Sequence, residues 1–189
     1  MVNRDSNSTR IDELADPEQL RGRDGVPETE VRRTLPGEPF EGLQEHYSSI
    51  DGVVQVGITT ENGRLLLQGS TESGGWAPPG GAVRPGEDWV EAARRAMETQ
   101  TGRTVTIDTV ERYEHLVFEH EDDPERQFSA PGVSFSASLS DPPPGFLSDP
   151  DIAENPQLPD DHDRTFAWFG SVPDDARPNH VEHIEMFLG

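Results

Sequence analysis

The sequence predicts an α/β (α+β) fold, an α/β/α sandwich with helices layered on both sides of a mixed β-sheet. Short β-branched and apolar runs recur on either side of one clearly marked amphipathic helix near residues 88–101. A second amphipathic segment closes the chain. With 189 residues there is room for one domain, and little for two.

Residues 1–10 read as a frayed end. Asp16-Pro17 suits a short helix start, because Asp accepts amide hydrogen bonds and Pro fits a first turn. Pro39 to Tyr47 places Phe40, Leu43 and Tyr47 on one helical face. Residues 1–48 are therefore expected to form an N-terminal helical appendage, partly disordered, ahead of a compact domain at 49–189. In that domain Val53–Thr59 and Arg64–Gln68 read as strands, joined by a tight turn at Glu61-Asn62-Gly63. Gly69 to Gly86, rich in Gly and Pro, reads as loop. The helix that follows starts at Glu87 or Asp88, runs to Thr101 and stops at Gly102. Strands are expected at 103–107, 110–119, 133–139 and 165–169. The stretch 141–163, with six prolines and seven acids, reads as a solvated acidic excursion. Val181, Ile184, Phe187 and Leu188 give an apolar face to a closing helix that begins near Pro178.

Charge excludes several function classes. There are 37 acids against 15 bases, a formal net charge of −22, and every base is arginine. Leu, Ile, Val and Phe make up about 21% of the chain, just above the level at which a highly charged chain stays disordered. Polyanions would be repelled, which argues against nucleic acid as a partner. No apolar run approaches the roughly 18 residues that cross a bilayer, and Met1 to Arg10 is too polar for a secretory signal. The expected location is cytoplasmic. Without cysteine there is neither a disulfide framework nor thiolate-bound zinc. Dispersed acids with no lysine resemble the acidic, haloarchaeal-type proteins of salt-accumulating microbes. The excess is uneven: 18 acids and 11 bases in 1–103, against 19 and 4 in 104–189.

Trp76-Ala-Pro-Pro-Gly-Gly81 leads through Glu87 into the helix, and the helix ends at Gly102. This run resembles the Nudix box, a glycine, five residues, a glutamate, seven residues, then Arg-Glu-apolar-x-Glu-Glu-x-Gly-apolar. Gly81, Glu87, Arg95, Met97 and Gly102 fall on matching places. The motif spans about 27 residues, and the layout from about 50 to 189 follows the same order of elements. The resemblance implies a Nudix fold and a pyrophosphohydrolase acting on nucleoside diphosphates linked to another group. It implies Mg²⁺ or Mn²⁺ as cofactor, held by the three glutamates after the arginine. Those three places here are Ala96, Thr99 and Gln100, which supply no carboxylate. Arg103 replaces the last apolar residue.

Other residues bear on the same chemistry. Periodicity puts Trp89, Ala93, Ala96, Met97 and Gln100 on the inward side of the helix, and Glu91 and Glu98 toward solvent. Glu87 reads as a helix N-terminal acid that satisfies amides and the dipole. Some members of the resembled family take a catalytic carboxylate from outside the box, and Glu114 and Glu119 are the candidates. Alternation allows only one of them into a cleft, and the default reading of each is a solvated acid. His180-x-x-His183 has metal-binding spacing, but beside Glu182 and Glu185 it reads as the exposed face of the closing helix. His115 and His120 read as surface groups, and Trp168 as core.

Three functional classes follow: a hydrolase that draws metal ligands from elsewhere, with Mg²⁺ or Mn²⁺ only if active; a non-catalytic module that binds a small nucleotide-like ligand; or an interaction scaffold. Whether the chain is an enzyme stays open at this stage, as does its oligomeric state. The departures at 96, 99 and 100 weigh against efficient metal-dependent hydrolysis.

Overall fold

The computed structural model describes residues 11–70, 74–140 and 164–189. The expected frayed end at 1–10 and the acidic excursion at 141–163 lie outside them. Two sheets organise the described residues. The larger has five strands in the order β1-β6-β7-β2-β5, formed by β1 (Glu28–Leu35), β2 (Gly52–Ile58), β5 (Gly80–Val83), β6 (Val105–His120) and β7 (Asp123–Leu139). It is mixed: β1 runs parallel to β6 and β2 parallel to β7, while β6–β7 and β2–β5 are antiparallel. The smaller sheet has the order β4-β3-β8, from β3 (Leu65–Ser70), β4 (Trp76–Ala77) and β8 (Arg164–Phe169). Helices α1 (Gly37–Ser48), α2 (Trp89–Thr101) and α3 (Val181–Leu188) complete the fold, so the predicted mixed-sheet α/β architecture is the one observed.

Alternation along the strands sorts the core. On one face of the large sheet Val54, Val56, Ile58, Ile107, Tyr113, Val133 and Phe135 pack with Trp89, Ala93 and Met97 of α2. On the other face Phe40, Leu116 and Phe118 form a second cluster, joined by Val31, Leu35, Tyr47 and Val53. The helix α2 starts where its cap predicts. Asp88 accepts from the backbone N–H groups of Val90 and Glu91, and Gly102 closes the helix in the left-handed conformation at φ 67°.

Three expectations need correction. The segment taken as a helical appendage contributes strand β1, paired over eight residues with β6, and Ile11, Leu14 and Leu20 are buried in the main core. Its alternating exposed and half-buried positions are those of an edge strand, but Arg and Glu at the exposed positions weaken the apolar signal. Gly69 to Gly86 is not all loop. Its glycines permit β5, because a Cβ on Gly80 would lie 2.1 Å from the carbonyl oxygen of Val54. Strand β7 begins ten residues before the expected 133, at Asp123, and extends a long hairpin with β6 through solvent-exposed residues.

Candidate active site

The region expected to hold chemistry lies where β5 meets α2. Arg95 binds Glu87 with both forks of its guanidinium, Nε at 2.7 Å and Nη2 at 2.8 Å, and Nη2 also donates to the carbonyl oxygen of Ala82 at 2.8 Å. Glu87 also accepts from the Arg84 amide at 2.9 Å. The hydrogen bond from Arg95 holds the Glu87 carboxyl below its ordinary range. Glu87 is therefore not the helix cap, a role that Asp88 fills. It joins the turn at Arg84 to the middle of α2.

The inward face of the helix is as the periodicity predicts. Trp89, Ala93, Ala96 and Met97 are buried, Gln100 is half-buried, and Glu91 and Glu98 are exposed. Glu91 pairs with Arg94. At the three places where the box would carry ion ligands, Ala96 is buried against Gly81, whose added Cβ would sit 3.1 Å from it. Thr99 faces solvent, and the Gln100 amide donates to the carbonyl oxygen of Gly80. A methyl, an exposed hydroxyl and an amide whose N–H₂ already holds a backbone carbonyl do not fit a hard divalent cation, which needs charged oxygens. Among the described residues no group of three His, Asp or Glu side chains is arranged to hold an ion.

A cavity of about 300 Å³ opens beside the Gly80–Ala82 backbone. Its walls include Gln55 of β2, Glu114 of β6, Arg33 of β1, and Arg177, His180 and His183 near the C-terminus. Of the two candidate acids, Glu114 lines this cavity and Glu119 does not. Glu119 instead pairs with Arg32 at 2.5 Å. Glu114 is only 4% exposed, contrary to its default reading as a solvated acid. Its two oxygens lie 2.8 and 2.9 Å from His183 Nε2, and Arg112 stands 3.8 Å away.

The histidine readings are likewise corrected. His183 is 5% exposed, and its Nδ1 is buried with no hydrogen-bond partner. His180 lines the cavity and meets the Gln55 amide at 2.7 Å through Nδ1. The reason is angular. At 100° per residue the apolar arc from Ile184 through Phe187 runs on to His183, so the acids at 182 and 185 alone take the solvent side. Burial, assisted by the charges of His183, Arg33 and Arg177, pushes His180 down to about 3, which leaves it neutral at physiological pH. His120 is buried as well, edge-on to Phe40, with its Nδ1 accepting from the Asp122 amide at 3.1 Å. Trp168 lies in the main core.

Sequence reasoning missed Arg33 and Arg177. The signal for Arg33 was present, because it shares strand parity with Val31 and Leu35 and so faces inward.

The NUDIX domain family model matches residues 50–187. None of the curated proteins matches the chain. Among solved structures, a UDP-X diphosphatase superposes with a TM-score of 0.53 at 15% identity, covering 78% of this chain and 68% of that one. A NUDIX hydrolase from Nitrosomonas europaea gives 0.49 at 17% identity, with 73% and 88% covered. An ADP-ribose pyrophosphatase from Streptococcus suis gives 0.47 at 12% identity, with 72% and 87% covered. At these identities the first likeness speaks for the fold alone.

Proposed function

The chain belongs to the NUDIX domain family, and from that premise we propose that it is a ligand-binding module that retains the family's fold and cleft without its metal-dependent hydrolysis. The ligand class proposed is a small nucleotide-like molecule. The observation that carries this reading is the state of the helix face at 96, 99 and 100. Ala96 is closed against Gly81, Thr99 is exposed, and the Gln100 amide is engaged by Gly80. The chain carries 37 acids, yet none stands at these places. The abundance of carboxylates is therefore no sign of a metal site, and the cleft is left to recognition. The Glu87–Arg95 pair holds the box loop against the helix and so keeps the wall of the cleft in place.

The test measures Mg²⁺ and Mn²⁺ binding, and both the binding and the hydrolysis of a panel of nucleoside diphosphate compounds, in about 2 M KCl to screen the acidic surface. Ligand binding without metal affinity or turnover is the expected result. Metal-stimulated turnover that disappears in Glu114→Gln overturns the reading and makes Glu114 the catalytic carboxylate. Restoring Ala96→Glu, Thr99→Glu and Gln100→Glu together should create metal affinity that the natural chain lacks.

A further inference from the structure

We propose that Arg33 and Arg177 form an anion subsite in the cavity, which takes the phosphate or diphosphate of the ligand without a divalent ion. The proposal rests on the binding-module reading of the same site and names the part of the ligand that the cleft grips.

Arg33 lines the cavity and differs from the carboxylate-paired arginines of this chain. In this acid-rich chain Arg21, Arg32, Arg94, Arg95, Arg112 and Arg126 each lie within 4.0 Å of a carboxylate. Arg33 pairs with none among the described residues, although it is half-buried. Its guanidinium sits 5.9 Å from the centre of the Phe118 ring. Asn179, its amide turned with the oxygen toward Arg33, accepts from both Nη atoms at 3.2 and 3.3 Å. Burying a guanidinium away from water without a counter-charge is costly, and an anionic ligand offsets that cost.

Arg177 reaches the same cavity from the segment that leads into α3, with its Nε donating to the carbonyl oxygen of Gly74 at 3.1 Å. Both arginines act on His180, which their charges help to keep neutral, so the ring lends hydrogen bonding and no charge. The cavity thus brings together two planar guanidinium groups of the kind that grip phosphate oxygens in pairs. In the resembled family, divalent ions neutralise the diphosphate; this helix face has no carboxylates with which to recruit them.

Glu114 is the opposing charge in the cavity. His183 straddles its carboxylate, and Arg112 stands nearby. It is rooted four residues along β6 from Phe118, the register partner of Arg33, about 13 Å along the strands. A volume of about 300 Å³ is at the small end of ligand pockets, suited to one compact moiety.

The experiment is calorimetric titration of the full chain with inorganic pyrophosphate, ADP and adenosine, in EDTA and again with Mg²⁺. Pyrophosphate and ADP should bind equally well in EDTA, and adenosine far more weakly. Arg33→Gln and Arg177→Gln should each weaken ADP binding about 10- to 100-fold. Arg33→Lys should recover part of the loss, and Arg94→Gln should change nothing. Thermal melts of each variant separate lost binding from lost folding, and Arg33→Lys carries the test if Arg33→Gln does not fold. Binding that requires Mg²⁺, adenosine binding as tight as ADP, no binding of pyrophosphate at all, or full affinity in Arg33→Gln would each overturn the proposal. Metal-stimulated hydrolysis would remove the binding-module reading, yet leave this subsite standing if binding in EDTA still depended on Arg33.

Discussion

A Cβ on Gly57 would stand 2.2 Å from the Phe187 ring, so the bare backbone there is what lets α3 close over β2. Gly57→Ala forces that ring away and should cost about 1–3 kcal/mol, read as a lower midpoint in denaturant. It should also loosen the seat of His183, four residues before Phe187 on α3. Glu87 carries a pH-dependent contribution. Its carboxyl is held below its ordinary range chiefly by the hydrogen bond from Arg95, so the stability it adds is present above the unfolded value of about 4.3 and is lost as pH falls through the folded value. Glu87→Gln should therefore lower stability at neutral pH by about 1–2 kcal/mol, with the partial exposure of Arg95 limiting the size. The loss should shrink as the pH is taken below 4, which melts at a series of pH values would detect. An equal loss at every pH would mean that charge plays no part.

Among the elements, the N-terminal segment shows how a weak local signal becomes structure. Asp88 does more than cap α2: its second oxygen accepts the Leu14 amide at 2.6 Å, which fastens the segment to the helix. Tyr113 adds a further tie, donating from its hydroxyl to Glu18 at 2.6 Å. Asp88→Ala should cost about 1–2 kcal/mol through the lost cap, and should also speed hydrogen exchange at Leu14. Asp88→Asn should restore most of the capping. Deleting residues 1–35 removes β1 from the edge of the large sheet and uncovers the core seat of Leu14 and Leu20. The shortened chain should lose its cooperative thermal transition; an unchanged melt would mean that the segment is an appendage after all.

For the molecule as a whole, the net charge of −22 is the dominant long-range force. Raising KCl from about 0.1 M to 2 M shortens the screening length from about 10 Å to roughly 2–3 Å, so the melting temperature should rise with salt. A flat response would show that the acids are compensated locally. The sequence by itself determined the mixed-sheet architecture, the course of α2 and the departures at 96, 99 and 100. These are written in local periodicity, turn residues and spacing, which act over a few neighbours. It also determined that Glu114 and Glu119 take opposite sides of β6, because alternation is a property of the strand alone. Only the tertiary structure decided which of the two enters the cavity, that Arg33 meets Asn179, and that His183 straddles Glu114. Those contacts join residues 69 to 146 positions apart, and no local pattern records which distant face will cover a given side chain. Burial, which turned Glu114, His180 and His183 from expected surface groups into cavity walls, is settled only when the sheet, α1 and α3 close around them.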